Sequence, residues 1–364
     1  MTPELYVGLM SGTSLDGVDA VLADFAGARP RLLANAAVPF DPPLRRELLA
    51  LNTAGDNEIE RAALAGNALA GKYAAAVSAV LAATKIPAEA IRAIGCHGQT
   101  VRHRPARGYT TQIGNAALLA ELTGIRVVAD FRSRDVAAGG EGAPLAPAFH
   151  AAVFADPGED RAVLNLGGIA NLTFLPKSGA VIGFDSGPGN CLLDLWAAQH
   201  LGQAHDAGGR WAAEGTVIEG LLERLLVEPY FALPPPKSTG RDLFNDSWLH
   251  KSLKDGEEPQ AVQATLLELT ARSVAAAGAA HCPGVRRLIV CGGGAKNDAL
   301  LRRLAELVAP AAVEPSNRYG IDPQLVEAAA FAWLARQALL GLPGNLPSVT
   351  GARGPRVLGA IHMP

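Results

Sequence analysis

The sequence predicts an α/β protein of two domains, and three observations lead to that prediction. Short apolar segments that suit buried strands alternate with longer segments that carry alanine and leucine at helical spacing, which is the α/β pattern. A strand–turn–strand pattern opens the chain and returns at 162–175, as in an internal duplication. The length of 364 residues also suits roughly two domains.

The composition is typical of a globular protein with large cores. Hydrophobic residues make up 49% of the chain, charged residues make up 18%, and the formal net charge is −3. This charge gives no reason to expect nucleic acid or an anionic membrane surface as a partner. We expect neither a signal peptide nor a membrane span. The four cysteines form no CxxC pair, which favours reduced thiols and a cytoplasmic location.

The first half opens with a predicted hairpin. Residues 5–10 and 18–25 are apolar and flank a Gly/Ser/Thr turn, which indicates two strands. Asp41 precedes two prolines and is predicted to cap a helix, and 57–85 is predicted to form a long helix. The remaining predicted elements are a strand at 93–97, a helix at 115–123 and a strand at 125–129.

The second half repeats the pattern. Predicted strands at 162–166 and 169–175 flank the turn Gly167-Gly168, and a third at 180–184 ends at Asp185. Because tight turns join antiparallel neighbours, each sheet should be mixed rather than purely parallel. The last elements are a strand at 288–291 and a helix that Asp322 caps and that ends at Gly341. We place the domain boundary within 130–142, so that the domains span 1–130, joined by 342–364, and 131–341.

The loop from Gly8 to Asp19 is a candidate phosphate site. Its glycines let the backbone turn tightly and approach a ligand, and successive N–H groups in such a turn can converge on an anion. Asp16 and Asp19 suit Mg²⁺ bound through water. An ordinary hairpin turn accounts for the same residues, so both interpretations stay open on the chemistry of the loop alone.

Three further loops carry residues that suit ligand binding or catalysis. Asp185 ends a buried strand in the segment FDSGPGN, where a carboxylate suits a general base; the alternative is a cap for the helix that begins near Asn190. The glycines at 292–294 follow a strand and open a helix, which suits a nucleotide or a plain turn. Residues 237–241 form either a phosphate-contacting loop or a surface turn.

Polar side chains also follow two strands of the first half. His97 and Gln99 follow one strand, and Asp130 and Arg132 follow another, where α/β proteins gather ligand contacts. A structural histidine and surface ion pairs are the alternatives. The chain has no GxSxG elbow and no HExxH, so neither a serine hydrolase nor a zinc protease is supported.

Seven motifs resemble those of the anhydro-N-acetylmuramic acid kinases. They occur in the family's order across nearly the whole chain, and a chance match to all seven in order is improbable. The motifs are GLMSGTSLDGVD at 8–19, GCHGQT at 95–100, VADFRSR at 128–134, LNLGGIAN at 164–171, FDSGPGN at 184–190, KSTGR at 237–241 and CGGGAKN at 291–297.

This resemblance implies the two-domain actin-like ATPase fold, which is ribonuclease H-like. It has duplicated mixed five-stranded sheets, flanking helices and a central ATP cleft. It also implies a homodimer, and domain closure that excludes water. The implied ATP-binding residues are Gly12, Thr13, Ser14, Leu15, Asp16, Gly17, Val18, Asp19, Gly167, Gly168, Gly292, Gly293, Gly294 and Asn297.

The resemblance implies a reaction in two parts. Water attacks C1 of 1,6-anhydro-N-acetylmuramic acid and opens the bridge to O6, while O6 takes the γ-phosphate of ATP. The products are N-acetylmuramic acid 6-phosphate and ADP, and the role is cell-wall recycling. Asp185 would be the base, and the loop with Mg²⁺ would neutralise phosphate charge. The implied sugar contacts are His97, Gln99, Asp130 and Arg132, and the implied Mg²⁺ contacts, through water, are Asp16, Asp19 and Glu327.

Two alternative functions share the fold. One is a kinase that acts on an ordinary sugar or acid, and the other is an ATP-dependent switch without sugar chemistry. Asp185 beside the segment 186–189 argues against the switch, because a switch needs no base there. Ring opening itself rests on the resemblance, since composition and spacing support only a nucleotide-dependent phosphotransferase.

Overall fold

Strands and helices alternate along the chain, as predicted. The computed structural model describes residues 2–12 and 15–364. The strands are β1 Leu5–Met10, β2 Gly17–Asp24, β3 Arg31–Pro39, β4 Ile91–Cys96, β5 Gln99–Arg104, β6 Tyr109–Ile113, β7 Val127–Ala129, β8 Arg161–Leu166, β9 Ile169–Leu175, β10 Ile182–Pro188, β11 Arg287–Cys291, β12 Ala312–Pro315 and β13 Ala360–His362. The helices are α1 Pro42–Ala50, α2 Glu58–Thr84, α3 Ala116–Thr123, α4 Ser133–Ala137, α5 Ala146–Phe154, α6 Cys191–Leu201, α7 Arg210–Glu214, α8 Glu219–Leu226, α9 Asp246–His250, α10 Pro259–His281, α11 Asp298–Leu307, α12 Val326–Leu339 and α13 Pro347–Thr350.

The chain divides into two compact units. The first comprises Met1–Val153 with Leu325–Pro364, and the second comprises Phe154–Gln324. This division differs from the predicted boundary within 130–142 and from the predicted return at 342. The reason is packing: α4 lies against β6, and α12 lies against β1, β2 and β4, so both helices belong to the first unit.

The first unit is built on a mixed sheet of order β13-β7-β4-β1-β2-β3. β1 pairs antiparallel with β2, and β2 pairs antiparallel with β3. β1 and β4 are parallel, as are β4 and β7. The prediction of five strands was one short, because β13 adds antiparallel to β7 through three residues. A segment this short has no recognisable strand periodicity.

The second unit repeats the same order in β10-β9-β8-β11-β12. β8, β9 and β10 are joined as antiparallel neighbours, and β11 is parallel to both β8 and β12. The long helix α10 packs against α6, α7, α8 and α11 and against two strands of this sheet. The predicted fold of duplicated mixed sheets with flanking helices is therefore confirmed.

The helix α2 forms the main packing element of the first core. Leu69, Tyr73 and Val77 on its inner face are buried, and the helix contacts β2, β3 and α3. Among the described residues it is the one helix whose length and composition would suit a membrane span. A buried face against a sheet is the position of a core helix.

Helix α12 approaches the first sheet unusually closely. Gly8 on β1 pairs with Gly95 on β4. A Cβ at Gly8 would overlap the carbonyl oxygen of Ala328, and a Cβ at Gly95 would overlap that of Phe331. The two glycines therefore allow backbone-to-backbone contact, which fixes Glu327 at the start of α12.

The predicted helix caps have different outcomes. Asp41 caps α1 as predicted, since its Oδ1 accepts from the N–H of Leu44 at 3.0 Å. The prediction that Asp322 caps α12 was wrong. Its carboxylate accepts from the N–H of Gln324 at 2.9 Å. It thus closes the short turn at Pro323–Leu325, and α12 begins only at Val326.

Candidate active site

The loop that follows β1 is anchored by a buried serine. Ser11 is 1% exposed, its Oγ donates to the carbonyl of Gly98 at 3.0 Å, and it lies 2.9 Å from the hydroxyl of Tyr73. The N–H of Leu15 donates to the carbonyl of Gly12 at 3.3 Å. The hydroxyl of Ser11 is therefore engaged in hydrogen bonds within the protein, and these bonds hold the start of the loop in place.

The predicted ATP-binding residues of this loop offer mainly backbone. Leu15 and Val18 are buried in the first core, and a Cβ at Gly17 would overlap the carbonyl oxygen of Val38. Leu15 has a φ of 57°, which is a conformation that favours glycine and marks a constrained turn. Thr13 and Ser14 lie outside the described residues.

Three carboxylates of the first unit interact electrostatically. Asp16 is exposed, with 76% of its side chain accessible, and lies 4.0 Å from Arg45. The pKa of Asp19 is raised by desolvation and then by the charge of Asp16. Desolvation also raises the pKa of Glu327; the Arg132 guanidinium opposes this rise, and Asp19 adds to it. Carboxylates that repel one another suit a divalent cation, which neutralises that repulsion.

His97 is a buried, neutral histidine with both ring nitrogens engaged. Burial, together with the charge of Arg132, lowers its pKa to about 3. Nε2 faces Arg132, which can only donate, so Nε2 is the unprotonated acceptor. The proton therefore lies on Nδ1, which donates to the carbonyl of Ser11 at 3.3 Å. These contacts support the alternative of a structural histidine, because the ring connects Arg132 to the loop that follows β1.

Arg132 is held on two sides. Its Nε lies 3.3 Å and its Nη2 2.9 Å from His97 Nε2, and its Nη1 donates to the carbonyl of Gly142 at 2.8 Å. Burial lowers the pKa of the guanidinium to about 10, so it remains charged at neutral pH. A guanidinium has five N–H groups, and the bonds to the described residues leave one N–H on each terminal nitrogen. Two parallel N–H groups are what a bidentate carboxylate needs.

Gln99 and Asp130 are the other two predicted sugar contacts of the first unit. Gln99 is 2% exposed and donates to the carbonyl of Gly12 at 3.2 Å, while its Oε1 is buried without a hydrogen-bond partner in the described part of the chain. Asp130 follows β7 with a φ of 56° and accepts from the hydroxyl of Ser133. A buried orphan acceptor and a constrained carboxylate are features of ligand sites.

The glycine hairpin of the second unit is tied to the start of α6. The carbonyl of Gly167 accepts from the N–H of Asn190 at 2.8 Å, and the carbonyl of Gly168 accepts from Gly189 at 2.9 Å and Cys191 at 3.0 Å. A Cβ at Gly189 would overlap the carbonyl oxygen of Gly167. The hairpin and the helix start therefore form one rigid corner.

Asp185 lies on β10 and is held by a distant loop. Its Oδ2 accepts from the hydroxyl of Ser238 and from the N–H of Thr239, both at 3.0 Å. Burial raises the pKa of Asp185, and these two hydrogen bonds and the charge of Lys237 partly offset the rise. Asp185 does not cap α6, whose N-cap is Asn190. The cap alternative is therefore wrong.

The backbone of Asp185 is fixed as firmly as its carboxylate. Its N–H donates to the carbonyl of Lys237 at 3.1 Å, and its carbonyl accepts from the hydroxyl of Tyr230 at 2.8 Å. Lys237 in turn lies over the ring of Tyr230 at 4.8 Å. The segment from Tyr230 to Lys237 thus positions the acid.

Residues 237–241 are the site residues that sequence reasoning left undecided. Ser238 and Thr239 bind Asp185, and Arg241 lies beside Gly168, 3.6 Å from where a Cβ would stand. The KSTGR motif was visible in the sequence. Its partner was not, because 53 residues separate Ser238 from Asp185.

The triglycine loop follows β11 closely. Gly292 has a φ of 81°, and a Cβ there would overlap Asn165. Gly293 is open, whereas a Cβ at Gly294 would contact Leu166. Asn297 caps α11 by accepting from Leu300, so its carbonyl oxygen is engaged. A cavity of about 470 Å³ lies beside Asp298, the residue after this loop, and is lined by Ala207, Gly208, Arg210, Ala213, Glu214, Asp298 and Arg302.

The structure thus gathers the predicted residues into two sets. In the first unit His97 and Gln99 contact the loop after β1, and Arg132 contacts His97. In the second unit the hairpin follows β8 and the triglycine loop follows its parallel neighbour β11, at strand ends where α/β sheets bind ligands, while Asp185 lies within β10. No three His, Cys, Asp or Glu side chains within residues 2–12 and 15–364 form a ready metal cluster.

Curated relatives match this chain over its length. A family model described as anhydro-N-acetylmuramic acid kinase matches residues 4–364. A Variovorax paradoxus protein of that name is 59% identical over 373 residues, covering 100% of both chains. Proteins of the same name from Nitrosospira multiformis, 54% identical with 100% of both chains covered, and Burkholderia orbicola, 57% identical with 98% of this chain and 96% of that protein covered, match similarly.

Proposed function

Because this chain belongs to the anhydro-N-acetylmuramic acid kinase family, we propose that it opens and phosphorylates 1,6-anhydro-N-acetylmuramic acid with Asp185 as the base. Water attacks C1, its proton passes to Asp185, and the bond from C1 to the bridging oxygen breaks. That oxygen, O6, takes the γ-phosphoryl group of ATP. The products are N-acetylmuramic acid 6-phosphate and ADP, as cell-wall recycling requires.

The environment of Asp185 is the observation that carries this assignment. Both donors, Ser238 and Thr239, bind Oδ2, and the described residues give Oδ1 no donor. Oδ1 is therefore available to a water molecule. Burial raises the pKa of the carboxyl, so its carboxylate is a stronger base than a free aspartate. A rigid backbone keeps Oδ1 in one direction.

Arg132 binds the lactyl carboxylate of the sugar in this proposal. Its two remaining N–H groups match a carboxylate, and its pKa of about 10 keeps it charged. His97 takes a positioning role, because its nitrogens already bind Arg132 and Ser11. Gln99 and Asp130 offer acceptors to the hydroxyl and amide groups of the sugar.

The loop from Gly12 to Asp19 holds the ATP phosphates through its backbone N–H groups. Asp16, Asp19 and Glu327 would hold Mg²⁺ through water, and the ion would supply charge neutralisation on the phosphates. Gly167 and Gly168 are the further phosphate contacts in this proposal, and Gly292, Gly293, Gly294 and Asn297 are the adenosine contacts. A cytoplasmic homodimer is the form in which we expect the enzyme to act.

Product analysis in ¹⁸O-labelled water tests this function. The expected product carries one ¹⁸O at the C1 hydroxyl of a sugar phosphorylated at O6, because water attacks C1. The ring-opened sugar serves as the control, and its phosphorylation at a similar rate would contradict a reaction that begins with ring opening. Unlabelled C1 in the phosphorylated product would contradict attack by water.

A further inference from the structure

A buried carboxylate lies one turn beyond Arg132 and is used by none of the steps above. Asp135 is 0% exposed. Its Oδ2 accepts from the N–H of Gly142 at 2.8 Å, and its Oδ1 accepts from Asn345 at 2.6 Å and from the hydroxyl of Thr350 at 2.8 Å. A buried carboxylate with three donors is a strongly determined point of the structure.

This carboxylate acts on the same peptide that orients Arg132. Asp135 binds the N–H of Gly142, and the carbonyl of Gly142 accepts from Arg132 Nη1 at 2.8 Å. Gly142 therefore connects the two side chains through its own backbone. The negative charge of Asp135 also counteracts the fall in the pKa of Arg132. Both effects depend on the carboxylate staying where it is.

The loop around Asp135 is shaped to close on it. A Cβ at Gly140 would overlap Asp135 Oδ2, and Gly142 has a φ of 68°, where L side chains are strained. The N–H of Glu141 donates to the carbonyl of Thr350 at 2.7 Å. The glycines thus let the loop enclose the carboxylate while the C-terminal segment covers it.

Two segments distant in sequence meet at this carboxylate. Asn345 and Thr350 are 3% and 1% exposed, and they lie 210 and 215 residues from Asp135. Asn345 is itself fixed, because its Oδ1 accepts from the N–H of Arg356 at 2.7 Å. The position of Gly142, and through it the direction of Arg132, depends on side chains near the end of the chain.

We propose that Asp135 is a positioning residue for the sugar. Through Gly142 it fixes the direction in which the free N–H pair of Arg132 points, and Asn345 and Thr350 make the C-terminal segment part of the sugar-binding apparatus. This inference rests on the proposed contact between Arg132 and the lactyl carboxylate. It adds a second group of residues, outside the seven sequence motifs, that determines affinity for the acidic sugar.

Steady-state kinetics of Thr350→Val and Thr350→Ser tests the proposal. Valine keeps the shape of threonine and removes the hydroxyl, so we expect the KM for the anhydro sugar to rise about tenfold, with kcat and the KM for ATP nearly unchanged. Serine keeps the donor and should restore the KM. Thr84→Val is the matched control, because Thr84 donates only to helix carbonyls. Asp135→Asn should act in the same direction.

The carboxylate of the ligand provides the decisive comparison. The inhibition constant of 1,6-anhydro-N-acetylglucosamine, which lacks the lactyl group, should not change in Thr350→Val. A purely structural role would lower the active fraction and kcat at constant KM, and that result would overturn the proposal. If Arg132→Lys leaves the KM unchanged, the proposed sugar contact fails; if Arg132→Lys raises it and both Thr350→Val and Asp135→Asn do not, only this inference fails.

Discussion

The two units share one sheet order but use the acid near the end of the third strand in opposite ways. In the first unit, Asp41 follows β3 and caps α1, and the hydrogen bond from Leu44 lowers its pKa. In the second unit, Asp185 lies on β10 and accepts from a loop distant in sequence, and burial raises its pKa. The two carboxylates therefore differ in their donors and in the direction of their pKa shifts, as we expect if Asp41 is a helix cap and Asp185 is the proposed base.

The units differ in their turns as well. The hairpin after β8 is the tight pair Gly167-Gly168, fixed to α6 by its carbonyl groups. The loop after β1 is longer and is held through Ser11 and His97. A tight turn can offer only backbone, whereas the longer loop also carries Asp16 and Asp19, the carboxylates that we propose as Mg²⁺ contacts through water. The two units therefore share a sheet order and differ in the loop that joins their first two strands.

Replacing the two acids tests this comparison with the largest expected effect. Asp185→Asn should lower kcat about a thousandfold, because a general base contributes on the order of 10²–10⁴ in rate, while affinity for ATP is retained. Asp41→Asn is the control and should keep full activity, since asparagine caps a helix as well as aspartate does. Turnover by Asp185→Asn within tenfold of the unaltered enzyme would refute the base assignment.

Acid should destabilise the first unit before the second. The buried His97 and His150 both have a pKa lowered to about 3 and both lie in the first unit. Unfolded histidine titrates near 6.5, so the unfolded state binds more protons between pH 6.5 and 3, and stability falls as pH falls. At pH 5 the loss is about 2 kcal/mol for each histidine.

Hydrogen exchange by mass spectrometry at pH 7 and pH 5 measures this difference. After correction for the intrinsic rate, peptides from β1 and β4 should lose protection, and peptides from β8 and β11 should not. Replacing His97 with asparagine should reduce the loss. An equal loss in both units would contradict the placement of the acid-sensitive groups in the first.

Arg132→Lys should affect substrate binding rather than chemistry. Lysine cannot donate to His97 and Gly142 while it also binds a carboxylate bidentately. The KM for the anhydro sugar should therefore rise about tenfold or more, with a smaller change in the KM for ATP. Arg134→Lys, two residues further along in α4, is the matched control, because Arg134 is exposed. An unchanged KM for the sugar would remove Arg132 from the sugar site.

Ser238→Ala should shift the pH dependence with little other change. The serine hydroxyl lowers the pKa of Asp185, so its removal raises that pKa, and the base becomes protonated at a higher pH. The acidic limb of the kcat/KM profile should move upward by roughly one pH unit. Ser178→Ala, on an exposed turn, is the control. A limb that stays in place, or moves downward, would show that Ser238 does not tune the base.

The sequence predicted those parts of the site that lie within one motif. The turn at Gly167-Gly168 and the existence of a strand at Asp185 follow from short local patterns, although the strand predicted at 180–184 in fact continues to Pro188. The bond from Arg132 to His97 spans 35 residues, and the bond from Ser238 to Asp185 spans 53. Local periodicity does not specify such pairs, because they depend on how strands are ordered in a sheet.

The boundary prediction failed for a related reason. The segment 130–142 has the glycine and charge content of a linker. Its glycines instead let the backbone close around the carboxylate of Asp135, since a Cβ at Gly140 would overlap that carboxylate. Helix α12 was assigned to the second domain because it follows that domain in the chain. The structure shows that α12 packs closely against Gly8 and Gly95 of the first sheet, and this packing places the helix in the first unit.

The three-residue strand β13 has a practical consequence for handling the protein. It covers the outer edge of β7, and β7 leads directly into Asp130 and Arg132. A truncation after Gly359 would leave that edge bare, and an open edge recruits strands from other chains and promotes aggregation. A shortened form of the protein should therefore keep Ala360–His362, so that this pairing stays intact.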